Sequence, residues 1–589
     1  MKLKQILLIA GMLALSLLLS GCVTENKEAV SAGSQNDTVA RTVEKVPVAD
    51  INSLPLKDDF SVYSQQDPTS LAHFYITVKG GNEADGTNNT FAQVNAYRNL
   101  QWMKNVEEVR SEIIFQVGDE HGPLPDEIGF GTVTANATIN VRGRTSTSAP
   151  QKSYRIDLFD NAGLWRGQRA IALSKHPFDR TRVRNMLFFT LLQKVPDMTS
   201  LRTQFVQVFV KDETAGETMF SDFGLFTQVE LPNGRYLRNH GLSRDGNLYK
   251  ANMFEFFRYE DNIRLATDPA YNPAAFSEVL EPKTTNDHAK LIAMLDALND
   301  YTIPIEKTIA QYFSLDNVMS FLAYNILMGN TDTNSQNFML YSPVNSNVWY
   351  FICWDGDGSL PYNEAALYDD ANVRPDWAFG VSNYWGMVLF NRMLRVSAYR
   401  DALNVKMELL RNIITPELIS QEITKYRTVV DTFTNRMPDI INLDSTIAQL
   451  ELLYESIPND VTVAYRHYLD SMKKPMPFFL GDVISQEGEL SLAWGDAYDF
   501  GDGLIHYDLQ IATDWSFAPQ TIVYESLQQL QLSKNVPMLP AGEYCWRVTA
   551  RNESGNTQSA FDWFAAADVN HYGMRRFTIT SGGEVLNHL

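Results

Sequence analysis

The 589-residue chain has only three cysteines, which cannot build a disulfide scaffold. It is also short of positive charge: 49 Lys and Arg stand against 70 Asp and Glu, for a net charge of −21. A chain so poor in basic residues does not fit the wrapping of a nucleic-acid backbone, which needs clustered Lys and Arg. Its nine histidines are scattered, without metal-ligand spacing. No Gly-x-Ser-x-Gly elbow occurs, which argues against an α/β-hydrolase. Beyond the first twenty residues no apolar run is long enough to span a bilayer. What is present is 44% hydrophobic and 20% charged, a globular composition, with length for at least two domains.

The first residues read as an export signal. Lys2 and Lys4 precede an apolar run from Ile6 to Leu19, which ends in Leu19-Ser20-Gly21-Cys22. That ending resembles a bacterial lipobox and implies cleavage before Cys22 and a lipid on its thiol. Residues 1–21 are then a lipoprotein signal peptide and the mature chain carries about −23. Residues 22–70, rich in Ser, Asn, Asp, Glu and Lys, read as a flexible tether lifting the folded part off a membrane. Cys353 and Cys545 fall in different expected domains, so no disulfide is expected.

The next part is strand-like. His73–Val78, Val109–Val117, Ala137–Val141, Lys152–Leu158, Gln204–Val210 and Phe223–Glu230 alternate or run apolar, and residues 180–193 read as a helix. Thr415-Pro416-Glu417 is a helix start, with an N-cap threonine and proline at the first helical position. After Lys474-Pro475-Met476-Pro477 only short strands follow: 489–493, 506–512, 521–525 and 543–550. Leu539-Pro540-Ala541-Gly542-Glu543-Tyr544-Cys545-Trp546 resembles the fibronectin type III signature. That resemblance implies a tyrosine corner at Tyr544 and a core tryptophan at Trp494.

The chemistry gathers between residues 314 and 360. Leu315, Val318, Met319, Leu322 and Ile326 form a buried helix stripe, with Ser314 as N-cap and Gly329 as stop. Asn330-Thr331-Asp332 to Asn337 follows, then a strand over 338–341, a turn, and a return strand ending in Trp354-Asp355-Gly356-Asp357-Gly358. A turn centred between 344 and 345 sets Asp355 opposite position 334, within a couple of residues. Two acids and an amide therefore converge at one hairpin end, and such oxygen ligands suit Mg²⁺. Asp332 and Asn337 have the five-residue spacing of a kinase catalytic loop, and a second Asp after a hairpin is where kinases place their main metal ligand. The His-Arg before the first Asp and the Phe after the second are missing. Asp222-Phe223-Gly224 spells the kinase metal motif but precedes the catalytic loop, so it reads as a turn.

These segments resemble the CotH kinase family, atypical secreted kinases of the spore coat protein H type. Arg142-Gly143-Arg144-Thr145-Ser146, Lys152-Ser153-Tyr154-Arg155, Arg184-Asn185, Gly224–Glu230 and Leu248-Tyr249-Lys250 match further blocks in the right order. The resemblance implies an α+β chain: an atypical protein-kinase-like domain over 71–473 with a β-rich N-terminal part, then an all-β fibronectin-type sandwich over 476–570. It also implies ATP and Mg²⁺ or Mn²⁺ as cofactors and a protein substrate in the cell envelope. Asp332 corresponds to the catalytic acid, and Asn337, Asp355 and Asp357 to metal ligands. Lys152 is the candidate for the phosphate-contacting lysine and Glu230 for its ion-pair partner. The rival readings are a catalytically inactive surface scaffold or adhesin, and a glycosidase with paired carboxylates. A calcium loop starting at Asp355 fails, because position 6 is Leu360 and position 12 is Ala366.

Overall fold

The computed structural model describes residues 55–100, 106–367, 374–566 and 569–588. The leader, Cys22 and most of the expected tether lie outside them. No described helix is long and apolar enough to cross a membrane. Helices and sheets are mixed, in two compact units. The first comprises residues 53–369 and 386–466. The second takes in, among described residues, 374–385 and 467–588.

The first unit opens with eight strands: β1 (Leu71–Gly80), β2 (Arg110–Asp119), β3 (Gly122–Pro123), β4 (Ala137–Val141), β5 (Tyr154–Leu158), β6 (Ala170–Ser174), β7 (Thr203–Asp212) and β8 (Ser221–Val229). Their order is β1-β7-β8-β6-β5-β4-β2-β3, and β1 also pairs with β2. Seven strands thus close into a ring, in which only β1 and β7 run parallel. The period-two pattern explains the closure. Phe74, Ile76 and Val78, Ile113, Phe115 and Val117, and Tyr154, Ile156 and Leu158 are all buried in one core. A closed barrel leaves no long edge for another chain to pair with.

A second sheet carries the site. It is antiparallel, in the order β10 (Leu280–Pro282), β9 (Asn247–Ala251), β11 (Phe338–Ser342), β12 (Tyr350–Cys353). The helix Leu315–Leu327 packs on β12. Asn317 on that helix accepts from Phe351 N at 2.6 Å and donates to Phe351 O at 3.1 Å, so one amide side chain satisfies the edge of β12. Ser314 is the N-cap residue, although its side chain makes no capping bond. Further on, Thr415 Oγ1 caps the helix Pro416–Thr434 by accepting from Leu418 N at 3.2 Å.

The second unit is mostly strand. A three-stranded sheet (Ile484–Gln486, Glu489–Ala493, Ser533–Pro537) and a larger sheet around Ile505–Ala512, Gly542–Asn552 and Met574–Ile579 share one core. That core contains Leu490, Leu492, Trp494, Val536, Leu509, Trp546 and Phe577. The four strands read from sequence are there. Others beyond residue 552 are not in that reading, and they carry the unit past 570 to His588. The segment 374–385 also belongs to it: Asp376 accepts from Ser559 Oγ at 2.5 Å, and Trp377 meets Phe561 and Tyr572 edge-on. Cys353 and Cys545 are both free and buried.

Candidate active site

The hairpin β11–β12 sets the geometry. Phe338 pairs with Cys353, so Asp355 stands opposite position 336. This is two residues from the position read from sequence, a shift that preserves which face each side chain takes. At the hairpin mouth, Asn337 O accepts from Trp354 N at 3.3 Å. Asn337 and Asp355 both take left-handed backbone, φ +59° and +60°, which Asn and Asp tolerate better than other L-residues. Gly356 then passes close to the helix Arg184–Leu192. A Cβ there would meet the Phe188 ring at 2.2 Å, so only glycine lets the loop lie down. Ser359 N and Oγ both donate to Gly356 O, closing a tight turn.

The loop carries Asp355 and Asp357 side by side, both half-buried. Burial first and Asp357 second raise the Asp355 carboxyl above its ordinary range, against the pull of Arg142 and Lys250; Asp332 adds to the rise. Burial would raise Asp357 too, but His176, a hydrogen bond with Asp355 and Arg142 together outweigh it and lower it. The two neighbouring carboxyls are thus shifted in opposite directions, each by its own surroundings and by the other. Asp332 is exposed on the single turn Thr331–Thr333 that follows the helix Leu315–Leu327. Asn330 links the two loops, donating to Asn325 Oδ1 at 3.2 Å and to Asp355 O at 3.4 Å. The Asn337 amide makes no hydrogen bond to another described residue.

Three further residues, not assigned from sequence, face this group. Arg142 leaves β4 with its guanidinium 5.6 Å from the centre of the Trp354 ring, and donates to Ser174 Oγ at 2.6 Å. Lys250 lies on β9 between Glu281 and Met339 in the register. Its ammonium makes no hydrogen bond or ion pair among the described residues. Burial pushes that ammonium down to about 8, against the attraction of Glu281, with Lys283 adding repulsion. His176, just past β6, sets Nδ1 3.5 Å from Asp357 Oδ2, while its buried Nε2 has no hydrogen-bond partner among the described residues. Arg142 and Lys250 stand in blocks already singled out in the sequence. Their role shows only once the ends of β4 and β9 are brought to the hairpin mouth.

The expected pairing of Lys152 with Glu230 does not form. Lys152 Nζ is buried and donates to Thr147 O at 2.7 Å and Ala149 O at 2.6 Å, pinning the loop before β5. Glu230 is fully buried with Arg202 and with His240 Nε2, 3.0 Å away. The strand register explains the separation. Tyr154 pairs with Leu173 and Val229 with Ala172 on opposite edges of β6, so Lys152 and Glu230 leave towards opposite ends of the barrel. The arginines after β6 are structural. Arg184 joins buried Asp179 at 2.8 Å and Glu364 at 2.6 Å, Arg180 joins Glu364 at 2.7 Å, and Arg182 donates to Lys175 O and His176 O.

Among the described residues no group of three or more His, Cys, Asp or Glu side chains is arranged to hold a metal ion by itself. Two adjacent carboxylates, a third nearby and an uncommitted amide still form a hard-oxygen donor set. Mg²⁺ is commonly bound through one or two carboxylates, with phosphate and water completing its shell. Arg142 and Lys250 supply cations beside that set, as a phosphorylated ligand needs. Acid–amide loop, carboxylate pair and facing cations thus meet at one hairpin mouth.

The chain belongs to the CotH kinase protein family, whose model matches residues 139–459. It is also similar to Invasin CotH3 of Rhizopus delemar, at 24% identity over 231 residues. That match covers 37% of this chain and 36% of the length of the relative.

Proposed function

We propose that the chain is an exported, lipid-anchored atypical kinase that transfers the γ-phosphoryl group of ATP to a Ser or Thr hydroxyl of a cell-envelope protein. The observation that carries this reading is the convergence of Asp332, Asp355 and Asp357 with Arg142 and Lys250 at one hairpin mouth. Asp355 and Asp357, with Asn337, would hold Mg²⁺ or Mn²⁺, which when bound neutralises phosphate charge. Arg142 and Lys250 hold the anionic end of the nucleotide from the other side. Asp332, exposed and apart from the pair, orients the acceptor hydroxyl and takes its proton. The first unit is then an atypical kinase-like domain built on a closed barrel. The second is a fibronectin type III-like module. The hydrogen bond from Tyr544 OH to Pro540 O, 2.8 Å, supports a tyrosine corner, and the burial of Trp494 supports a core tryptophan.

The anchor rests on Leu19-Ser20-Gly21-Cys22. Cys22→Ala should release the protein from the membrane fraction or stall it as precursor; unchanged processing and retention would remove the anchor. A second reading, a surface scaffold or adhesin without catalysis, is favoured by the name invasin on a relative. Incubation with labelled ATP and Mg²⁺ or Mn²⁺ separates the two. Labelled protein product supports the kinase. Nucleotide binding without transfer to any acceptor supports the scaffold.

A further inference from the structure

Against a net charge of −21, one corner of the first unit gathers three arginines that make no ion pair among the described residues. The short helix Gly234–Asn239 follows β8 and carries Arg235 and Arg238 on one face, three residues apart. Arg244 folds over the start of this helix, its Cγ 3.4 Å from where a Gly234 Cβ would sit. Asn239 Nδ2 donates to Gly167 O at 3.5 Å, bringing up the loop that carries Arg169. Arg169 pairs with the exposed Asp160. Arg235, Arg238 and Arg244 have no carboxylate partner among the described residues. Burial, then the repulsion of Arg169, Arg238 and Arg244, lowers the pKa of Arg235.

The same corner is where the described chain begins. Asp59 N donates to His240 O at 3.2 Å, and the Asp58 carboxylate lies 2.6 Å from His240 Nδ1. Lys57 is exposed here, and Phe60 and Leu164 stand 60% and 39% exposed. The first described residues, Pro55 to Phe60, therefore lie at the end of the helix that carries Arg235 and Arg238. Arg169 enters β6 and His176 leaves it, so the patch and the candidate active site lie at opposite ends of that strand, roughly 20 Å apart.

We propose that this corner is a membrane-facing surface that takes anionic lipid headgroups, with Arg235, Arg238 and Arg244 as the contacts. Its place beside a membrane rests on the Cys22 anchor; its affinity for headgroups does not. An overall charge of −21 repels an anionic bilayer, so a local cationic cluster decides which face turns towards it. Arginines beside exposed apolar side chains match the chemistry of a peripheral membrane contact. A tether joining the fold at this corner would raise the effective concentration of headgroups there above that of any free acidic protein. The phosphoryl-transfer end would then point away from the bilayer.

The test uses the mature chain, residues 22–589, with Cys22→Ser so that no lipid contributes. Cosedimentation is measured with phosphatidylcholine vesicles and with vesicles containing 30% phosphatidylglycerol. The chain should bind the anionic vesicles alone, more weakly as salt rises. Arg235→Gln/Arg238→Gln/Arg244→Gln should lose roughly a hundredfold in affinity. A charge-matched control, Lys473→Gln/Lys474→Gln/Lys534→Gln, should bind as the parent does. Equal binding to both vesicles, or an unchanged arginine variant, overturns the proposal. So does binding to poly-glutamate with none to vesicles, which would assign the patch to an acidic protein. A failed anchor shows up separately, in the fractionation of Cys22→Ala.

Discussion

Lys152 and Lys250 differ in what surrounds the ammonium. That of Lys152 is spent on two loop carbonyls, and that of Lys250 makes no hydrogen bond or ion pair among the described residues. Lys250→Met should therefore weaken metal-dependent ATP binding by about ten- to a hundredfold, the worth of a charge-assisted hydrogen bond, with the melting temperature unchanged or higher. Lys152→Met should do the reverse, costing about 1–3 kcal/mol of stability with little loss of affinity. Calorimetry and thermal melts on both variants check this; equal affinity losses would contradict it. His240 supports a different prediction. Its ring lies between Asp58 and Glu230; Arg202 joins Glu230, and Tyr63 OH donates to Asp58. Burial would lower the His240 pKa, but the two carboxylates outweigh it and raise it. Its stabilisation is therefore full below the ordinary histidine value of about 6.5 and lost as pH rises through the higher folded value. Glu230, held down to about 2 by His240 and Arg202 against its burial, contributes above about pH 4.3 and loses that as pH falls. The melting temperature should fall from pH 6 to pH 9. His240→Gln should melt lower at pH 6 and show a flatter profile; parallel profiles would contradict this.

Single elements were the most legible part of the sequence. β4 was readable to the residue, because its apolar residues recur at every second position and Ala137, Ile139 and Val141 all enter the core. The β11–β12 hairpin was readable to within two residues, enough to bring Asp355 to the mouth of Asn337. Lys152 and Glu230 could not be placed, because their separation depends on which strands flank β6, and that order is non-local. Lys250 and Arg142 were hidden for the same reason: each belongs to a strand end far along the chain from the hairpin. Closure of the barrel by β1 on β2 likewise leaves no local mark. The Tyr544 contact is local, its hydroxyl reaching back four residues to donate to Pro540 O. Tyr544→Phe removes that bond and should cost about 0.5–1.5 kcal/mol in urea unfolding of the whole chain. An unchanged midpoint would show that the hydroxyl contributes nothing.

At the scale of the whole molecule, the second unit is discontinuous in sequence. A cut at Met476 removes its sheets but leaves residues 374–385, including Trp377 and Trp385, without the aromatic partners they pack on. A chain ending at 475 should therefore aggregate or expose apolar surface to a hydrophobic dye, and a sound monomer would show that segment to be dispensable. The central claim is that the protein divides metal binding and proton acceptance between two loops of one site. Asp355→Asn should weaken metal-dependent ATP binding and abolish transfer. Asp332→Asn should leave ATP binding nearly intact while transfer falls by about 10²–10⁴-fold, the usual worth of a positioned acid–base group. Calorimetry with ATP and Mg²⁺, run beside a labelled-phosphate transfer assay on wild type and both variants, is the most direct measurement. Separation of the two effects is the predicted result; two variants that bind and transfer like wild type would contradict the account.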